Sequence, residues 1–89
     1  MSNRTALFQI QTIFSIPGRG EVLAGTLKEG MLFVGMKTRV NGNNAVVSSI
    51  ESGHHEVPAL MELGASAGIC LTNIKKGDVS PGQLLSFGD

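Results

Sequence analysis

A chain of 89 residues has room for one modest hydrophobic core and no second domain, so residues 1–89 are read as one domain. Apolar residues make up 42% and charged residues 16%, which excludes a disordered polar tail. With Lys+Arg 7 against Asp+Glu 7 there is no overall pull toward phosphate, so any nucleic-acid contact has to come from a local group such as Arg4, Arg19, Lys28, Lys37 and Arg39.

The chain opens on Met1-Ser2-Asn3-Arg4-Thr5 with no apolar leader, and no stretch is long enough to cross a bilayer as a helix. It reads as a cytoplasmic protein. Its start and its finish at Phe87-Gly88-Asp89 suit a complete domain, natural or excised. From Ala6 to Ile16, Phe8, Ile10, Thr12, Phe14 and Ile16 alternate with Gln9, Gln11 and Ser15, the period of a half-buried strand. Pro17-Gly18-Arg19-Gly20 turns the chain into a second strand, Glu21 to Leu27, which Lys28-Glu29-Gly30 ends. Leu32-Phe33-Val34-Gly35 is too short for a helix and is expected to cover one end of the fold.

Met36 to Val40 and Ala45 to Glu51 flank Asn41-Gly42-Asn43-Asn44, and Asn-Gly predicts a hairpin through a type I′ turn. Ala59 to Leu63, between Pro58 and Gly64, is the one run that resembles a helical turn. Ala67 to Ile74 and Gln83 to Phe87 complete the strands, with turns at Lys75-Lys76-Gly77-Asp78 and Ser80-Pro81-Gly82. About six or seven short strands and no long helix predict an all-β, antiparallel-rich closed barrel, which also removes exposed edges.

Cys70, the single cysteine, allows no intramolecular disulfide and no four-thiolate zinc site, and in Ile69-Cys70-Leu71 it reads as a buried small hydrophobe. His54-His55 beside Glu51 and Glu56 do not read as metal ligands, because neighbours on a strand point to opposite faces. No nucleophile elbow accompanies the serines, and Asp78 and Asp89 lie in turn or terminal sequence, so no catalytic constellation and no cofactor is expected. There is no tryptophan or tyrosine, and Phe8, Phe14, Phe33 and Phe87 are expected in the core, which leaves few platforms for stacking bases.

Ile13-Phe14-Ser15-Ile16-Pro17-Gly18-Arg19-Gly20-Glu21-Val22-Leu23-Ala24-Gly25 resembles the opening of the second domain of elongation factor Tu and related translational GTPases. Further anchors follow in family order: Ser49-Ile50-Glu51 with His54-His55, Gly64 through Gly68-Ile69, and Ile74-Lys75 through Gly82-Gln83-Leu84-Leu85. The resemblance implies a closed β-barrel. Gly25 and Gly68 are the positions where it would need close backbone approach, and Arg19 reads as a solvated turn residue.

GTP chemistry in that family belongs to another domain, and neither the G-x-x-x-x-G-K-[ST] loop nor an Asn-Lys-x-Asp segment occurs here. The chain alone is therefore expected neither to bind nor to hydrolyse GTP. In elongation factor Tu the equivalent barrel helps hold the terminal adenosine and aminoacyl group of charged tRNA. By that resemblance Ile16, Gly18, Arg19, Gly20, Val22, Glu51, His54, Ser66 and Cys70 are the candidate RNA-binding residues, with Glu51 against the adenine. Ser66 stands where the family has Asn, and Ser52-Gly53-His54-His55 carries an extra residue where basic character is usual. Two functional readings result: a non-enzymatic module for a tRNA acceptor end or ribosomal RNA, or a protein-interaction module presenting Leu32, Phe33, Val34 and Met61.

Overall fold

A computed structural model of the chain describes residues 4–89; Met1, Ser2 and Asn3, on which the reading of the chain's start rests, lie outside the described residues. The strands are β1 (Thr5–Ile16), β2 (Gly20–Gly30), β3 (Leu32–Phe33), β4 (Lys37–Val40), β5 (Asn43–Ser52), β6 (His55–Val57), β7 (Ala59–Leu60), β8 (Ser66–Leu71) and β9 (Leu84–Gly88). The order β4-β9-β1-β2-β8-β5 closes through a β4–β5 pairing into an antiparallel barrel of six strands. β6 extends the sheet from β5, and β3 and β7 form a separate two-stranded sheet. The expected all-β closed barrel is the observed fold.

Alternation fills the core. Ala6, Phe8 and Ile10 from β1 meet Leu23 and Leu27 from β2, Val47 and Ile50 from β5, Ile69 from β8, and Leu85 and Phe87 from β9. The predicted Asn41-Gly42 hairpin is present: Val40 pairs with Asn43, and Asn41 and Gly42 have φ of 50° and 79°. Positive φ at both central positions matches the turn to the right-handed twist of its strands.

The structure departs from the sequence reading along β1. Its register against β2 shifts between Ile10 and Thr12, so one residue goes unmatched and the side-chain parity inverts. Thr12, Phe14 and Ile16 consequently leave the core side, while Ile13 packs against the core. Phe8 and Phe87 are buried as expected, but Phe33 is only partly buried and Phe14 is exposed. β2 continues through Lys28-Glu29 to Gly30 because β1 pairs with it that far, and β8 stops at Leu71, short of the expected Ile74.

The expected helical turn at Ala59 to Leu63 is absent. Ala59 and Leu60 pair instead with Phe33 and Leu32, and Leu32 and Leu60 enter the core. Burial of these apolar residues outweighs a weak local preference for helix.

β6 was not anticipated. Ser52 pairs with His55 around a second two-residue turn, Gly53-His54, with φ of 60° and 69°. A β-carbon at positive φ is strained. His54→Gly is therefore expected to stabilise the fold by about 0.5–1 kcal/mol, read as a rise in the denaturation midpoint; an unchanged or lower midpoint contradicts this account.

Candidate nucleic-acid interface

Directly opposed residues on neighbouring strands share a sheet face, so the register lays out the barrel's outer surface. One row runs Phe14, Val22, Cys70, Ser49; the next runs Thr12, Ala24, Gly68, Glu51. Ile16 lies opposite Gly20 at the end of the β1–β2 hairpin. Residues from three distant parts of the sequence thus meet on one surface.

The turn between β1 and β2 places Arg19 over this surface. The Ile16 carbonyl accepts a bond from the Arg19 amide at 3.0 Å, with Pro17 and Gly18 at the centre of the turn and φ of 84° at Gly18, the geometry of a type II turn. Arg19 Nη1 donates to Glu51 Oε2 at 2.9 Å, and Nη2 lies 3.7 Å from Cys70 Sγ. Arg19 is an exposed turn residue, as expected, and is paired across the face with Glu51. Its hydrogen bond to Glu51 holds the guanidinium pKa above its usual value.

Glu51 stands directly opposite Glu56 on β6, a like-charge pair that Arg19 partly offsets. Beside the charged pair the surface is apolar: Phe14 is 52% and Ile16 37% exposed, and Val22 is half-buried. Cys70 forms the floor and is buried as its sequence context predicts. Gly68, opposite Glu51, adds no side chain; a Cβ there would meet only Val22 Cγ1, at 3.2 Å.

The structure therefore brings together Ile16, Gly18, Arg19, Gly20, Val22, Glu51 and Cys70. Ser66 lies further along the same face of β8, where its carbonyl accepts a bond from Ser52 Oγ at 3.2 Å. His54 is exposed in the turn beyond Ser52, not on a strand. Among the described residues no three His, Cys, Asp or Glu side chains are grouped to hold a metal ion, and no helix is long and apolar enough to cross a membrane.

The basic residues named from sequence are not a set of free cations. Arg4 forms an ion pair with Asp89 at 2.8 Å and lies 4.3 Å from the Phe33 ring centre, while Arg39 donates to the Gly42 carbonyl at 3.1 Å. Phe14 is the surface residue that sequence reasoning assigned to the core. A signal existed: the apolar residues Phe8, Ile10 and Ile13 step by two and then by three, as a bulge requires.

No protein-family model matches the sequence. Among solved structures, the chain superimposes on apo translation elongation factor SelB from Methanococcus maripaludis with a TM-score of 0.80 and 23% identity. The fold is that of a translation-factor barrel. The likeness covers 92% of this chain and 18% of that one, so the chain spans under a fifth of the larger protein. The matched part is a barrel domain of the factor and not its GTPase domain. At this identity the translation-factor barrel accounts for the architecture, and the chemistry of the Arg19–Glu51 face has to be argued from its own residues.

Proposed function

We propose that this chain is a non-enzymatic binding module that takes an unpaired RNA end, of the tRNA acceptor type, on the outer face of β1, β2, β8 and β5. The observation that carries the reading is the meeting of an exposed apolar strip, Phe14, Ile16 and Val22, with the Arg19–Glu51 pair. An apolar wall suits the face of an unstacked base, while a carboxylate and a guanidinium suit its edge and a neighbouring phosphate. The missing nucleotide-cradling loop supports a module without GTP chemistry of its own.

The test is an NMR titration of labelled protein with charged tRNA, uncharged tRNA and an unrelated RNA, at low and at physiological salt. Shifts are expected at Ile16 to Val22 and at Glu51, surviving physiological salt, and Glu51→Gln is expected to weaken binding about tenfold or more. Absence of shifts at high RNA concentration, or salt-sensitive shifts confined to scattered lysines, removes the RNA reading.

A groove of about 400 Å³ favours the second reading, a protein-interaction module. It is lined by Val57, Pro58, Ala59, Leu60, Met61 and neighbours. Of the residues named for that surface, Val34 and Met61 are exposed, Phe33 is partly buried and Leu32 is fully buried. The surface available to a protein is therefore built on Val34 and Met61.

A further inference from the structure

β1 is 12 residues long, and β9 pairs with only its first part, Thr5–Gln9. Over Thr12–Ile16 the strand has β2 on one side and, among the described residues, no strand on the other. Proteins usually blunt such an edge with charge, proline or extreme shortness. Two other edges here are blunted: β6 is 3 residues long, carries Glu56 and is followed by Pro58, and the free end of β4 carries Arg39. Thr12–Ile16 carries no charge or proline of its own; the Ile10–Thr12 bulge and Pro17 flank it. No charged residue occurs between Arg4 and Arg19, and Thr12-Ile13-Phe14-Ser15-Ile16 is rich in β-branched and aromatic residues.

We infer that this half of β1 pairs antiparallel with the same segment of a second copy of the chain. The register centred on Phe14 uses the whole free edge: Phe14 faces its own counterpart, Ile13 faces Ser15, and Thr12 faces Ile16. The paired segments themselves bring no like charges together, and the charged side chains that line a cavity with Ile13 and Ser15, namely Glu21, Lys75 and Lys76, are of both signs. The chain's formal net charge of zero adds no long-range repulsion between copies. Phe14 and Ile16, exposed in the single chain, gain a cross-strand neighbour, and Phe14 gains an aromatic one. A two-fold arrangement uses the edge of both copies, so the assembly closes as a dimer and does not propagate.

The experiment is sedimentation of the protein from about 10 μM to about 1 mM, spanning the weak association that a small interface allows. It is paired with amide shifts followed over the same dilution. A concentration-dependent dimer is expected, with shifts concentrated at Thr12 to Ile16. Phe14→Lys sets like charges directly opposite one another and is expected to weaken association at least about tenfold. Leu84→Lys, at another exposed apolar site, is expected to leave it unchanged. A monomer across the range overturns the inference, as does a dimer indifferent to Phe14→Lys or a shift map centred elsewhere. The wild-type shift map stands whether or not a variant folds.

Discussion

A Gly25→Ala variant is expected to fail to fold, or to lose more than about 4 kcal/mol, the range reached only by severe backbone or core damage. A Cβ at this position would lie 1.9 Å from the backbone oxygen of Gln9 and 2.9 Å from Phe8 Cε2. The nearer atom is backbone, held within the β1–β2 ladder beside the Ile10–Thr12 bulge, so relief requires moving a strand and not a side chain. Shrinking the ring should not help. Phe8→Leu in the same chain removes the farther contact and leaves the carbonyl clash, so the double variant should remain unfolded. Gly68→Ala is the control: its Cβ meets a valine methyl, which can shift, and the cost should stay within about 1 kcal/mol. Circular dichroism with urea denaturation checks all three, and a stable, cooperatively folded Gly25→Ala protein contradicts the account.

Phe8→Ala should carry the second-largest loss, about 3–5 kcal/mol from lost burial and the cavity left behind. Phe8 is fully buried, and its strand pairs with β2 on one side and β9 on the other, so little backbone is free to collapse into the space. A domain of this size has about 5–10 kcal/mol of stability in total, so the variant should be substantially unfolded at modest denaturant. Phe14→Ala, on the outer face of the same strand, should cost less than about 1 kcal/mol. If the two costs proved equal, the parity change at the bulge would be wrong.

Much of the barrel is legible residue by residue. Phe8 and Ile10 alternate with glutamines as a half-buried strand must, and Asn41-Gly42 specifies its turn because those two residues tolerate positive φ. The Gly53-His54 turn uses the same geometry but was not legible, since histidine is a weak signal for that conformation. Ala59-Leu60 was misread for a related reason: a proline before and a glycine after a short apolar run are compatible with a helical turn until Leu32-Phe33 is present to pair with it.

At the candidate interface, the family-like anchors identified Ile16, Val22, Glu51 and Cys70, and the register places all four on one face around Arg19, with Cys70 as its buried floor. The Arg19–Glu51 contact left no sequence signal. The two residues are 32 positions apart, and they meet only because β8 lies between β2 and β5.

By itself the sequence determined the all-β class, the main strands, the type I′ hairpin at Asn41-Gly42 and the absence of a GTP-binding loop. Each depends on φ/ψ preference, side-chain period or residue identity within a few positions. Only the tertiary structure decided that Phe14 faces outward, that Ala59-Leu60 is a strand, that Arg19 meets Glu51 and that, among the described residues, no strand pairs with the far edge of β1 over Thr12–Ile16. Those outcomes follow from closing the barrel, where one unmatched residue inverts a strand's faces and strand order chooses neighbours that local preference cannot see.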